Sequence, residues 1–141
     1  NRMVLPLALY NPAEHGFVAI TLADHKQDEY ARGIDATDGS EALNYGNYGI
    51  VYRLFLPGVD GKIAYYLNPR GGVYAGAIGV KHQYLQLPPV ATPEHTLLMG
   101  DKTVTHYSPL GTYPGKDSLW FTFSPPGASN LPVKILIMPK E

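Results

Sequence analysis

The chain has 141 residues, of which 45% are hydrophobic and 16% charged, with a net charge of −1. One domain of this size buries roughly two thirds of the surface its unfolded chain exposes, so the composition fits a packed core and argues against disorder. The near-neutral charge leaves no footprint for nucleic acid or an anionic membrane surface. The absence of cysteine removes disulfides, thiolate zinc sites and thiol nucleophiles together.

The sequence opens on Asn1 instead of Met, with no signal peptide and no apolar run of bilayer length. We therefore expect one domain over 1–141, excised from a larger secreted protein whose neighbouring domains are its natural partners. Eleven Tyr against four Phe stand out, because Tyr serves half-buried strand faces and binding surfaces equally well. Fifteen Gly and 13 Pro punctuate the chain as many short strands joined by turns require.

No window carries a long 3.6-residue apolar period. The predicted strands are, in order, Met3 to Tyr10, bent or at an edge because of Pro6, and then Phe17 to Leu22. Asp24 to Gly49 follows as a long irregular segment whose front, Asp24 to Ala31, has the pattern of a single helical turn. A loop of that length in a compact domain is often functional. Ile50 to Leu56 and Lys62 to Leu67 alternate cleanly, and Asp60-Gly61 between them signals a hairpin. A turn at Asn68-Pro69-Arg70-Gly71-Gly72 leads into Val73 to Val80 as the third strand of a meander. Gly76 and Gly79 within it point to a bulge or a close backbone approach. Tyr84 to Leu87, Thr96 to Met99, Thr103 to Tyr107, Leu119 to Phe123 and Val133 to Met138 complete the set. The pattern predicts an all-β, antiparallel β-sandwich, jelly-roll-like or similar, of about ten short strands.

The chemistry-bearing residues yield no catalytic residue, no metal ligand and no cofactor. The loop Asp35-Ala36-Thr37-Asp38-Gly39-Ser40-Glu41 has clustered oxygens but fails EF-hand spacing, and reads as a solvated turn. His15, His25, His82, His95 and His106 are scattered, with no pair at helical ligand spacing. There is no G-x-S-x-G elbow, and Gly71-Gly72 opens a strand where a phosphate loop needs a helix.

Leu119, Phe121 and Phe123 form the apolar face of their strand, so alternation turns Trp120 outward. A large indole usually finds cover, and we expect Trp120 to be a buried anchor nonetheless.

The tandem repeat Asn44-Tyr45-Gly46-Asn47-Tyr48-Gly49 is the most informative local feature. Aromatic faces flanked by amides match a sugar ring, which offers C–H groups for stacking and hydroxyls for hydrogen bonds. The competing reading has these tyrosines capping one end of the sandwich, with Gly supplying positive φ. The candidate ligand set is Asn44, Tyr45, Asn47 and Tyr48, with Arg70 as a donor from the neighbouring turn.

Three stretches, Asn44-Tyr45-Gly46-Asn47-Tyr48-Gly49-Ile50-Val51-Tyr52-Arg53, Leu67-Asn68-Pro69-Arg70-Gly71-Gly72-Val73-Tyr74-Ala75-Gly76 and Leu119 to Val133, resemble an accessory domain of secreted bacterial proteins. Those proteins also carry copper amine oxidase N-terminal-like (stalk) modules. The resemblance implies a secreted or cell-surface setting and a noncatalytic role, and supplies no ligand residues. The leading expectation is thus an extracellular accessory domain binding a polysaccharide or cell-wall polymer, with no nucleic acid and no membrane insertion. The alternatives are an adhesive spacer associating through a sheet edge and a small hydrolase using an acid pair and a His.

Overall fold

The computed structural model describes residues 2–4, 16–56, 61–70, 72–93, 107–127 and 129–140. They are all-β, and none is helical. The strands are β1 (Arg2–Val4), β2 (Val18–Leu22), β3 (Arg32–Ile34), β4 (Glu41–Leu43), β5 (Tyr52–Leu56), β6 (Lys62–Asn68), β7 (Gly76–His82), β8 (Leu85–Gln86), β9 (Val90–Thr92), β10 (Ser108–Pro114), β11 (Leu119–Phe123) and β12 (Val133–Lys140). A six-stranded sheet runs β1-β5-β11-β7-β8, with β9 also pairing β7. A four-stranded sheet runs β10-β6-β12-β2, and β3-β4 form a separate hairpin. All pairings are antiparallel except β1 with β5.

Period-2 alternation decides which residues meet in the middle. Tyr52, Leu54 and Leu56 of β5, Ile63, Tyr65 and Leu67 of β6, and Ile78 and Val80 of β7 are buried. So are Leu119, Phe121 and Phe123 of β11, and Val133, Ile135 and Ile137 of β12. These residues of both sheets join one core cluster. Tyr65 of the four-stranded sheet meets Phe121 of the six-stranded sheet edge to face, with ring centroids 5.1 Å apart. The fold is sandwich-like in this sense.

The expected β5–β6 hairpin does not form. β5 lies between β1 and β11, whereas β6 lies between β10 and β12 in the other sheet. The expected meander fails with it, since β7 pairs β11, β8 and β9. Alternation is identical for a hairpin and for an arch that crosses between sheets, and both bury one face of each strand. Gly61 does take a positive φ of 90°, but the turn residues 57–60 lie outside the described set.

The front of the long loop, Asp24 to Ala31, is not a helical turn. Asp24 Oδ1 accepts N–H bonds from Lys26 (3.0 Å), Gln27 (2.9 Å) and Asp28 (3.0 Å), a closed Asx-type bend that competes with helix. The middle of the loop is the β3–β4 hairpin, closed by Asp35 and Asp38 accepting from Thr37 and Ser40. Gly76 makes the close approach its position predicted. A Cβ there would lie 2.8 Å from Pro126 Cγ and 3.1 Å from Tyr74 Oη. The register shift falls elsewhere, in β10 between Pro109 and Gly111. The runs expected over 5–10, 96–99 and 103–106, with His15, His95 and His106, lie outside the described residues.

Candidate functional site

The tandem repeat folds as two successive turns. Asn47 N–H bonds to Asn44 O at 2.9 Å, and Ile50 N–H to Asn47 O at 3.1 Å. Gly46 (φ 87°) and Gly49 (φ 75°) occupy the third position of each turn, where type II geometry needs positive φ. A Cβ on Gly46 would lie 2.7 Å from the Tyr48 ring, so that glycine also makes room for the second tyrosine.

This geometry divides the expected ligand set. Asn47 is fully buried with φ 53°. Its Oδ1 accepts from Ala31 N–H (2.6 Å), and its Nδ2 donates to Glu29 O (3.1 Å) and Tyr52 Oη (2.6 Å). Tyr52 in turn donates to Asp28 Oδ2, which also accepts from Ala23 N–H at 2.6 Å. Asn47 therefore ties the long loop to the core strand β5, and it has no group left for a ligand. Tyr48 is half-buried, and its hydroxyl donates to Ser129 O at 2.6 Å, a capping role. Asn44 is half-buried, with Nδ2 donating to Tyr48 O at 2.8 Å. Asn44 thus serves the loop itself, and Tyr48 ties it to the 129–130 segment.

Tyr45 alone of the four points into solvent, at 71% exposure. Its ring meets Tyr30 edge to face at 5.6 Å, and Tyr30 stacks on His25 at 4.4 Å. Sequence reasoning missed His25 and Tyr30, because only the Asp24 bend folds them back toward the turn. Arg70 is exposed with φ 55°, its N–H held by Asn68 Oδ1 at 2.9 Å. Residues 129 and 130 link the two turns. Ser129 O receives the Tyr48 hydroxyl, while Asn130 exchanges hydrogen bonds with Val73.

A second surface lies on the outer face of the six-stranded sheet. β11 lies between β5 and β7, with Trp120 opposite Phe55 on one side and Lys81 on the other. Lys81 is opposite Gln86 of β8, and Thr122 is opposite Arg53 and Gly79. Period-2 alternation puts Arg53, Phe55, Trp120, Thr122 and Lys81 on the face away from the core. Arg53, Lys81, Gln86, Trp120 and Thr122 line an open groove of about 390 Å³, within the usual span for ligand clefts. Trp120 is half-buried against Phe55, ring centroids 4.8 Å apart, and is not the core anchor expected from its size. Its cover is an aromatic on the next strand, so alternation prevails and one side of the indole stays available. Gln86 Nε2 donates to Val80 O at 2.9 Å, which fixes its amide.

Other polar groups serve the frame. His82 Nε2 lies 3.3 Å from Asp117 Oδ2, near enough to pair when protonated but poorly aligned for a hydrogen bond. Tyr74 Oη and Thr92 Oγ1 are buried neighbours without a well-formed hydrogen bond, and burial pushes the Tyr74 phenol strongly up from its ordinary value. Among the described residues no group of three His, Asp or Glu converges in the way a metal site needs.

No family model matches the chain, and neither the curated proteins nor the solved structures give a match.

Proposed function

We propose that the chain is a noncatalytic binding domain for a polysaccharide, which it holds across the outer face of the six-stranded sheet. The observation that carries this reading is the half-exposed Trp120 in a groove with polar and cationic walls. An indole face stacks on the C–H face of a sugar ring, and side chains at the rim hydrogen-bond its hydroxyls. The groove is open to solvent and lies on the outer face of the sheet, where a polymer can approach without threading an end. Its walls are strand residues, which hold position better than a loop does. The reading keeps the ligand class expected from sequence and moves its seat from the Asn44–Gly49 loop to the sheet. An extracellular, cell-surface setting suits such a role and agrees with the resemblance to secreted bacterial accessory domains.

Trp120 is the sole tryptophan of the chain, so its emission reports directly on occupancy. Titrating soluble plant, algal and bacterial-wall polysaccharides should shift or quench that emission for at least one of them. Trp120→Ala should abolish retention in affinity electrophoresis while keeping a cooperative melt. Undisturbed emission with every polymer, together with unchanged retention of the variant, sinks this reading.

A further inference from the structure

We infer that the polymer is anionic and that its charge is a carboxylate, as in a uronate-containing glycan. This rests on the glycan reading above and narrows it. Two of the five groove residues are Arg53 and Lys81, and none is acidic. Neither cation forms an ion pair with a described residue. Six of the chain's 12 acidic residues, Asp24, Asp28, Glu29, Asp35, Asp38 and Glu41, lie instead on the 24–41 segment. The groove lining thus carries two positive charges and no negative one, against a net −1 for the whole chain. A cleft lined by charge of one sign focuses its attraction on a ligand of the other.

Geometry selects the type of anion. Arg53 and Lys81 are separated by the width of β11 and by two residues along the strand direction. With ordinary strand spacings that is about 12 Å between Cα atoms. Trp120 stands on β11, the strand between theirs, directly opposite Lys81 and one diagonal step from Arg53. A ligand using all three presents a ring face at the centre and negative charge on either side, as adjacent uronate residues do. A polyol phosphate has charge but no pyranose face, so Trp120 would go unused. The planar Arg53 fork matches a carboxylate with two parallel N–H bonds, while Lys81 acts as a point charge on the next repeat.

The test compares polygalacturonate with the same backbone fully methyl-esterified, and with a neutral glucan. Binding is followed by Trp120 emission and affinity electrophoresis. Polygalacturonate should bind at least about tenfold more tightly than its ester, since charge-assisted hydrogen bonds are lost on esterification. Raising the salt from about 50 mM to about 500 mM should weaken it further, by screening. Arg53→Gln combined with Lys81→Gln should remove the preference for the free acid and spare cooperative unfolding. Equal binding of free and esterified polymer overturns the carboxylate assignment and leaves the glycan reading standing, as does preferential binding of the neutral glucan. A double variant that still prefers the free acid overturns the assignment too. Failure of all three polymers to bind or perturb Trp120 overturns the inference and counts against the reading beneath it.

Discussion

Replacing Asn47 with Ala separates a ligand residue from a structural pin, because the two roles predict opposite signatures. The buried amide makes three hydrogen bonds, to Ala31 N–H, Glu29 O and Tyr52 Oη. Truncation orphans the half-buried Ala31 N–H, a loss of about 1–3 kcal/mol. Glu29 O is in an exposed residue and regains water, and Tyr52 keeps Asp28 as its acceptor, so those two bonds contribute only about 1 kcal/mol together. The backbone adds its own term. Asn47 has φ 53°, a conformation that Asn tolerates and that disfavours Ala by about 1 kcal/mol.

The sum is about 3–5 kcal/mol, which for a domain of this length lowers the melting temperature by about 10–15 °C. Thermal unfolding followed by circular dichroism measures it. The first loss should be local, with hydrogen exchange quickening over residues 23–31 before the core strands. Polysaccharide retention by the folded variant should stay as in wild type. A melting temperature within about 2 °C of wild type, with retention abolished, would overturn the pin and return Asn47 to the ligand set.

The neighbouring tyrosines should differ from each other. Tyr45→Ala should change stability by under about 1 kcal/mol, since the ring is 71% exposed. Tyr48→Phe should cost about 1 kcal/mol by removing the hydroxyl bond to Ser129 O, and urea midpoints measure both. Gly76→Ala should cost about 1–3 kcal/mol, because its Cβ would enter 2.8 Å from Pro126 Cγ. Gly33→Ala, with nothing within 4 Å, serves as the exposed-strand comparison in the same melts. Burial works to raise the Asp24 pKa, but N–H bonds from Asp28, Lys26 and Gln27 outweigh it and hold the carboxyl below its ordinary 3.8. A folded pKa below the unfolded one gives stability that is present above pH 3.8 and lost as the pH falls through the folded value. Asp24→Asn should therefore flatten the fall in urea midpoint between about pH 5 and pH 2, and an unchanged slope would show that Asp24 contributes none of it.

The all-β class was legible because alternation fixes the buried face of each strand locally. β11 was read residue for residue, and Leu119, Phe121 and Phe123 are inward as the pattern required. Sheet membership was not legible. Clean alternation in β5 and β6 says that each buries one face, and an arch between sheets satisfies that as fully as a hairpin does. β3 and β4 went unread because short exposed strands such as Arg32-Gly33-Ile34 carry no apolar period. β9 and β10 were missed in part because Pro109, Gly111 and Pro114 interrupt the second of them.

The candidate site shows the same limit from the other side. The Asn-Tyr-Gly repeat is conspicuous in sequence, yet Asn44 is spent on closing the turn and Asn47 on pinning it to Ala31, Glu29 and Tyr52. Conspicuous composition marked a structural device. The groove residues Arg53, Lys81, Gln86, Trp120 and Thr122 come from four strands and form no motif. The one signal for them was the alternation that turned Trp120 outward, set aside in favour of a general preference of large indoles for cover. Phe55 covers part of the indole from the same sheet face, but Trp120 stays half-buried, so alternation and not the preference for burial decides its place. An aromatic whose alternation points it away from the core, beside a second aromatic at the matching outward position of a pairing strand, is where a flat-faced ligand should be sought first.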